Sequence, residues 1–176
     1  APAPAAALAI SSQVVDMSGK CETEAARTNA LQVDDPESNF ERCPGAGAIP
    51  AWKMQQDLHY ITYGFGREPN TSGPTNFSDS DGPPASVNAE WRGVTRDGRF
   101  VPFAVIMRLP DPEKEDRPQA ARDNPLYVFR LTEDGKSCVV DKIAPGPDQQ
   151  AAALRSADRM AGPGAAPACP PEPEGD

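Results

Sequence analysis

Arg96-Asp97-Gly98-Arg99-Phe100-Val101-Pro102-Phe103-Ala104-Val105-Ile106-Met107-Arg108-Leu109 decides the fold class. Asp97-Gly98 is the signal of a tight hairpin turn, because both positions tolerate the left-handed backbone such a turn needs. The run from Phe100 to Leu109 is the most apolar in the chain. It is rich in strand formers and too short for a membrane span of roughly 20 residues. Pro102 cannot donate to a strand ladder, so it marks an edge, a bulge, or a strand that begins just after it. Upstream of the turn, Val87-Asn88-Ala89-Glu90-Trp91-Arg92 alternates apolar and polar, as a half-buried strand does. The two runs read as an antiparallel hairpin.

Similar patterns lie on both sides. Leu126-Tyr127-Val128-Phe129-Arg130-Leu131 and Ser137-Cys138-Val139-Val140-Asp141-Lys142-Ile143 flank Glu133-Asp134-Gly135-Lys136, a second hairpin. Residues 49–63 read as a third, turning at Gln55-Gln56-Asp57. Asn39-Phe40-Glu41-Arg42-Cys43 alternates and is expected to end at Pro44-Gly45-Ala46-Gly47. Ser12–Met17 reads as a first strand. Residues 64–85 and 110–124 are long, polar, Pro-bearing loops, and loops of that length are functional or unstructured. Asp148 to Ala161 reads as a helix with Asp148 as N-cap, after Gly146-Pro147. Its expected apolar stripe is Ala151, Leu154, Ala157 and Ala161. The prediction is an α+β domain: an antiparallel sheet of about six strands and one C-terminal helix over residues 11–169. An Ala- and Pro-rich lead-in (1–10) precedes it, and an acidic Pro-rich tail (170–176) follows.

The 176 residues carry 17 Lys and Arg against 26 Asp and Glu, a net charge of -9. No basic block exists to attract phosphates, so nucleic acid is a poor partner. One histidine cannot supply a multi-histidine metal site. Pro and Gly together fill 35 positions, which predicts much loop and one modest core. The opening Ala1-Pro2-Ala3-Pro4-Ala5-Ala6-Ala7 reads as the start of a mature chain after removal of a signal peptide. An artificially trimmed start is the alternative. Export to the periplasm or beyond is the expectation. The 12 Arg against 5 Lys agree with a GC-rich bacterial source.

Cys21, Cys43, Cys138 and Cys169 form no CxxC pair and have no histidine beside them, which argues against zinc. An even count in an exported chain reads as two disulfides, and four cysteines allow three pairings. Cys21–Cys43 and Cys138–Cys169 are favoured because each encloses one local segment. Four buried free thiols in a reducing compartment are the alternative.

The order of these pieces also resembles a known family. A cysteine and a short segment lead into Arg42-Cys43-Pro44-Gly45-Ala46-Gly47-Ala48-Ile49-Pro50. Asp57-Leu58-His59, Tyr63-Gly64 and Glu90-Trp91-Arg92 follow, then Cys138-Val139-Val140-Asp141, a Pro-Asp helix start and a final Cys169. This resembles small, uncharacterised exported proteins of alphaproteobacteria. They carry a similar Cys-Pro-Gly-x-Gly-x-x-Pro segment, a Gly-Asp-Leu-Arg turn, a Glu-Trp-Arg strand and a late Cys pair. The resemblance spans roughly residues 17–169. It departs at Gln56-Asp57-Leu58-His59, which lacks the arginine of that turn. The resemblance implies export, two disulfides and an α+β fold. It implies no catalytic residue.

No catalytic set emerges from the residues either. His59 with Asp57 could form half of an acid–base pair, but no Gly-x-Ser-x-Gly elbow accompanies it. A partly exposed strand histidine is the plainer reading. Asp79, Asp81 and Glu90 could pair as glycosidase carboxylates, yet proximity is expected by chance among 26 acids. Asp79-Ser80-Asp81-Gly82 resembles a calcium-loop fragment but has Asn88 where the twelfth-position Glu belongs. Asn70-Thr71-Ser72 and Asn76-Phe77-Ser78 fit the glycosylation pattern. Trp52, Trp91, Tyr60, Tyr63 and Phe65 could form an aromatic binding face, with core packing as the default. Arg92, with Arg42, Arg67 and Arg99, would suit an anionic ligand if the fold gathered them. No cofactor is implied.

The expected function is therefore a non-enzymatic periplasmic binding or interaction module. Its sharper form is an inhibitor of a basic cell-wall hydrolase, with loop 64–85 entering the enzyme's cleft and the charge of -9 attracting it. A carboxylate-based hydrolase of envelope glycans or peptides is the alternative. A small structural subunit of an envelope complex, exposing a contiguous apolar patch, is another.

Overall fold

The computed structural model describes residues 9–17, 21–23, 39–56, 60–74, 76–77, 87–111, 123–161 and 168–171. The expected lead-in up to residue 8, most of loop 110–124, and tail residues 172–176 lie outside them.

Asp97 and Gly98 both take positive φ (52° and 76°), and Arg96 pairs with Arg99 across them. That is the backbone of a two-residue hairpin turn, and it joins the two longest strands. In chain order the described strands are β1 (Ile10–Asp16), β2 (Glu22–Thr23), β3 (Asn39–Ala46), β4 (Ile49–Gln56) and β5 (Tyr60–Phe65). Then follow β6 (Asn76–Phe77), β7 (Asn88–Arg96), β8 (Arg99–Arg108), β9 (Leu126–Leu131) and β10 (Ser137–Ile143). One helix, α1 (Gln149–Asp158), runs into a 3-10 turn at Arg159–Ala161.

The strands do not form the single sheet of about six that the sequence suggests. They form two antiparallel sheets of five, ordered β1-β7-β8-β9-β10 and β2-β3-β4-β5-β6. Eight strands have six or more residues, and β2 and β6 have two each. Strand β3 also runs further than its sequence pattern suggests. It does not stop at Pro44-Gly45. The register slips by one residue between Cys43 and Ala46, so Pro44-Gly45 is absorbed as a bulge. The chain then turns at Gly47-Ala48, both at positive φ (57° and 65°), and β4 pairs back from Ile49. The β4–β5 and β9–β10 hairpins match the sequence reading. Pro102 sits beside a bulge, where the β7–β8 register shifts between Arg92 and Gly93.

The apolar run in β8 is explained by three layers. Val105 and Met107 face the second sheet, in a core with Ala89, Trp91, Tyr127 and Phe129 from β7 and β9. Cys43, Ala51, Ile61, Tyr63 and Phe65 fill the same core from the other side. Ala104 and Ile106 point the opposite way and pack with Val128 under Ala153 and Ala157 of α1. A strand buried on both faces cannot alternate with polar residues. Between the sheets, the Phe65 ring meets Trp91 edge-on at 5.3 Å and Phe129 at 4.9 Å.

Helix α1 is where the pattern predicts it, but its buried face differs. The buried residues are Gln149, Ala153, Ser156 and Ala157, while Ala151 is exposed. Small side chains let the helix approach the sheet. Gln149 is buried because its amide is fully used: Nε2 donates to the Asn124 and Ile143 carbonyls, and Oε1 accepts from Arg108. Asp148 occupies the N-cap position, but its side chain makes no cap hydrogen bond. The backbone supplies the closure instead, through Gln149 N–H to Gly146 and Ala152 N–H to Asp148.

Both disulfides pair as the locality reading favours, Cys21–Cys43 and Cys138–Cys169. The first closes against the core, where Cys43 is 3 % exposed. The second ties residue 169 to β10, in a ring that holds α1.

Candidate functional site

The strand directions give the sandwich two unlike ends. At one end lie short reversals: Gly47-Ala48, Asp97-Gly98 and residues 132–136. The two sheets are joined there by backbone contact. Gly66 approaches so closely that an added Cβ would lie 2.0 Å from the Gly135 carbonyl oxygen. Gly47 likewise lies against the Phe100 carbonyl and the Pro102 ring.

Residues 66–74 belong to this end and are folded down. Asn70 Nδ2 donates to the Phe65 and Glu68 carbonyls, and its Oδ1 accepts from the Ser137 amide and hydroxyl. The Ser72 and Ser137 hydroxyls are 2.8 Å apart, and Ser137 Oγ accepts from the Phe65 N–H. Residues 76–77 then pair with Tyr60-Ile61 as β6. Loop 64–85 is therefore not one free finger. Its first part is a strap between the edges of two sheets. The Asn70 amide is spent on that strap, so in the folded chain it is no open glycosylation acceptor.

At the opposite end the chain leaves β2 for residues 24–38, β4 for 57–59, β6 for 78–87 and β8 for 109–125. These four connections hold twelve Asp or Glu against four Arg or Lys, a net of -8 out of the chain's -9. Several polar groups near their roots are paired. Lys53 and Glu41 form a 3.6 Å ion pair on the inner face of the second sheet. Tyr63 neighbours Lys53 in register, and burial, aided by the Glu41 charge, pushes its hydroxyl up to about 12. Lys142 reaches Asp111 at 3.0 Å and lies 5.9 Å from the centre of the Tyr127 ring. Arg108 Nη1 donates to the Asn124 carbonyl at 2.9 Å.

The residues singled out from sequence do not meet in one place. Trp91 has no exposure, Trp52 1 % and Tyr63 4 %, so the three aromatics are core and not a binding face. Trp52 donates from Nε1 to the Gly66 carbonyl at 2.8 Å. Arg92 is committed to structure. Its Nε and Nη2 grip both Asp158 oxygens at 2.7 and 3.0 Å, and Nη1 donates to Ser12. The pair fastens α1 to β7, and its hydrogen bonds to Asp158 hold the guanidinium pKa above its usual value. Arg42 stands on the second sheet, Arg92 and Arg99 on the first, and Arg67 in the strap, so the four arginines form no cluster. Glu90 accepts from Ser12 and Gln150 on the helix side of the first sheet. His59, Asp57, Asp79 and Asp81 lie outside the described residues.

Among the described residues no three His, Cys, Asp or Glu side chains gather as a metal would require. No described helix is long and apolar enough to cross a membrane. The exposed large apolar side chains described are Val14 (64 %) and Val101 (45 %), on β1 and β8. Both stand near the first sheet's β1 edge or its turn end, not in one patch.

The residue pattern that sequence reasoning missed is the sorting of loops by end. It needs the strand pairing, because the four acidic connections are scattered between residues 24 and 125. No known protein family matches the chain, and no curated protein or solved structure does either.

Proposed function

We propose that the protein is a non-enzymatic binding module of the exported space whose long-loop end takes a basic envelope or secreted protein, such as a basic cell-wall hydrolase. The observation that carries the reading is the sorting of charge. A net of -8 falls on four connections that the topology roots at one end, while the turn end is close to balanced. Such an end presents a one-signed field to a cationic partner. Fields of that kind raise association rates and fall away with salt, over a screening length of about 10 Å at 0.1 M.

The two disulfides, the three-layer core and the strap at residues 66–74 give the loops a rigid base. A binding module gains from this, because a preorganised frame loses less freedom on association. In place of loop 64–85 entering a cleft, the reading now rests on the charge of connections 24–38, 57–59, 78–87 and 109–125, whose flanking strands end on the same side.

The test is calorimetric binding of the oxidised chain to hen lysozyme, used as a basic hydrolase probe, at about 20 and about 150 mM salt. The reading expects binding that weakens at least about tenfold between the two, and that a Asp34→Asn, Asp35→Asn, Glu37→Gln variant weakens further. Absence of binding at low salt, or binding indifferent to salt and to these substitutions, would overturn it.

A further inference from the structure

Each sheet ends in two edge strands, β1 and β10 in the first and β2 and β6 in the second. An edge strand leaves a row of backbone N–H and C=O groups without a ladder partner. Folded chains guard such rows with short strands, bulges, Pro, Lys or a cover. Among the described residues, three of the four edges carry such a device. β2 and β6 have two residues each. β10 bulges between Val139 and Asp141, and its Cys138 is tied to Cys169. β1 carries none. Its seven residues, Ile10–Asp16, pair with β7 without a shift of register. They include no Pro and no Lys, and their one charge is Asp16.

The side chains along this edge are open as well. Ser11, Ser12, Gln13, Val14 and Asp16 are exposed, and Val14 is the most exposed large apolar side chain described, at 64 %. Val15 points the other way and packs against the inter-sheet core. The helix layer stops short of β1. Ala153 and Ala157 of α1 pack on β8 and β9, and the helix reaches toward β1 only as far as β7, through Asp158 to Arg92 and Gln150 to Glu90. The Ser12 hydroxyl is turned inward to Glu90 and Arg92. The helix side of β1 is thus clear around Val14.

We infer that β1 is a dimerisation edge. Two copies of the chain pair their β1 strands antiparallel about a two-fold axis at Val14, joining two five-stranded sheets into one of ten. A strand and its two-fold copy are antiparallel by symmetry, and the contact closes at two. This register sets the two Val14 side chains opposite each other, about 5 Å apart, with Gln13 opposite Val15 and Ser12 opposite Asp16. The two Asp16 carboxylates fall four ladder positions apart, about 14 Å along the strands, beyond the screening length of about 10 Å at 0.1 M. The chain's own strand therefore supplies what this edge calls for: an apolar residue against Val14 and no charge against Asp16. Pairing of one strand buries less than a standard interface, so the dimer is weak, with a dissociation constant on the order of 0.1 mM. Each copy carries -9, so association tightens with salt, opposite to the binding of a basic partner at the loop end.

Sedimentation equilibrium of the full oxidised chain tests this, from about 10 µM to about 1 mM protein and at about 20 and about 500 mM salt. The expected result is a monomer–dimer equilibrium that tightens at least about threefold with salt. Val14→Lys sets two like charges opposite each other at an exposed site. It should weaken the dimer at least about tenfold and leave the urea midpoint of the monomer unchanged. Val14→Ile should keep the dimer. Amide hydrogen exchange at the two ends of the concentration range should show added protection on residues 10–16. A monomer under every condition would overturn the inference and leave the edge to a strand of another protein. So would a dimer that Val14→Lys does not weaken, or one whose added protection lies outside β1.

Discussion

The two disulfides close rings of similar size but sit in different surroundings, so their removal should separate chain entropy from packing. Cys21–Cys43 spans 22 residues and Cys138–Cys169 spans 31. In the chain-entropy treatment these rings are worth about 3.4 and about 3.7 kcal/mol, a difference of only ~0.3 kcal/mol. Entropy alone would thus make Cys138→Ala/Cys169→Ala slightly the worse variant. Packing reverses the order. Cys43 is 3 % exposed within the inter-sheet core and Cys21 packs against that core, whereas Cys138 and Cys169 are partly exposed. Losing a buried sulfur costs about as much as a buried methylene plus its cavity, roughly 1–2 kcal/mol. Cys21→Ala/Cys43→Ala should therefore cost about 5 kcal/mol, and Cys138→Ala/Cys169→Ala about 4 kcal/mol. Each should lower the melting temperature by on the order of 10 °C. Urea unfolding of both double variants under non-reducing conditions measures this, with the reduced wild type as reference. The reasoning fails if the second pair costs as much as the first, or if either costs under about 1 kcal/mol.

Other outcomes follow from single positions. Gly66→Ala places a Cβ 2.0 Å from the Gly135 carbonyl at φ +133°, so it should cost at least about 3 kcal/mol in urea melts, while Gly98→Ala, with open space around it, should cost only about 1 kcal/mol. Ala48→Gly relieves a non-glycine residue at φ 65° and should stabilise the chain by about 0.5–1 kcal/mol by the same assay. Asp158→Asn breaks the two-pronged grip on Arg92 and should cost about 1–2 kcal/mol, with a coupling to Arg92→Gln of about 1 kcal/mol in a double-mutant cycle. Tyr63 is held neutral by burial, with its pKa raised from 10 to about 12. The unfolded chain releases that proton first, so stability should fall as pH rises from 10 to 12 and level off above. Tyr63→Phe should flatten this fall, read from urea melts between pH 9.5 and 11.5.

Local chemistry made much of the fold legible. Asp97-Gly98 and the turn before Ser137 announce hairpins because only a few residues tolerate their backbone, and Gly146-Pro147-Asp148 announces a helix start for the same kind of reason. The Cys pairs could be matched because local rings are the easiest to close. What stayed hidden depends on partners far away in sequence. Pro44-Gly45 looks like a stop, yet a bulge opposite β4 absorbs it, and Gly47 at the following turn lies against Phe100 and Pro102 of the other sheet. Strands β2 and β6 have two residues each, too few to show alternation. The buried face of α1 departs from the apolar stripe because Ser156 and Gln149 are buried through hydrogen bonds to Asp141 and to Asn124 with Ile143, which no apolar pattern reveals. Aromatic content marked Trp52, Trp91 and Tyr63 as notable, but whether an aromatic faces solvent or a second sheet is decided only when that sheet is present. Arg92 reads from the sequence as a candidate for an anionic ligand. Its carboxylate partner, 66 residues on, was not visible.

The claim at the centre of the account is that the long-loop end, and not the turn end, meets a basic partner. Amide hydrogen exchange of the oxidised chain, alone and with hen lysozyme at low salt, tests it most directly. The account predicts added protection confined to residues 24–38, 57–59, 78–87 and 109–125, with the turns at 47–48, 97–98 and 132–136 unchanged. Protection at those turns, or none anywhere under conditions where the complex forms, would contradict it.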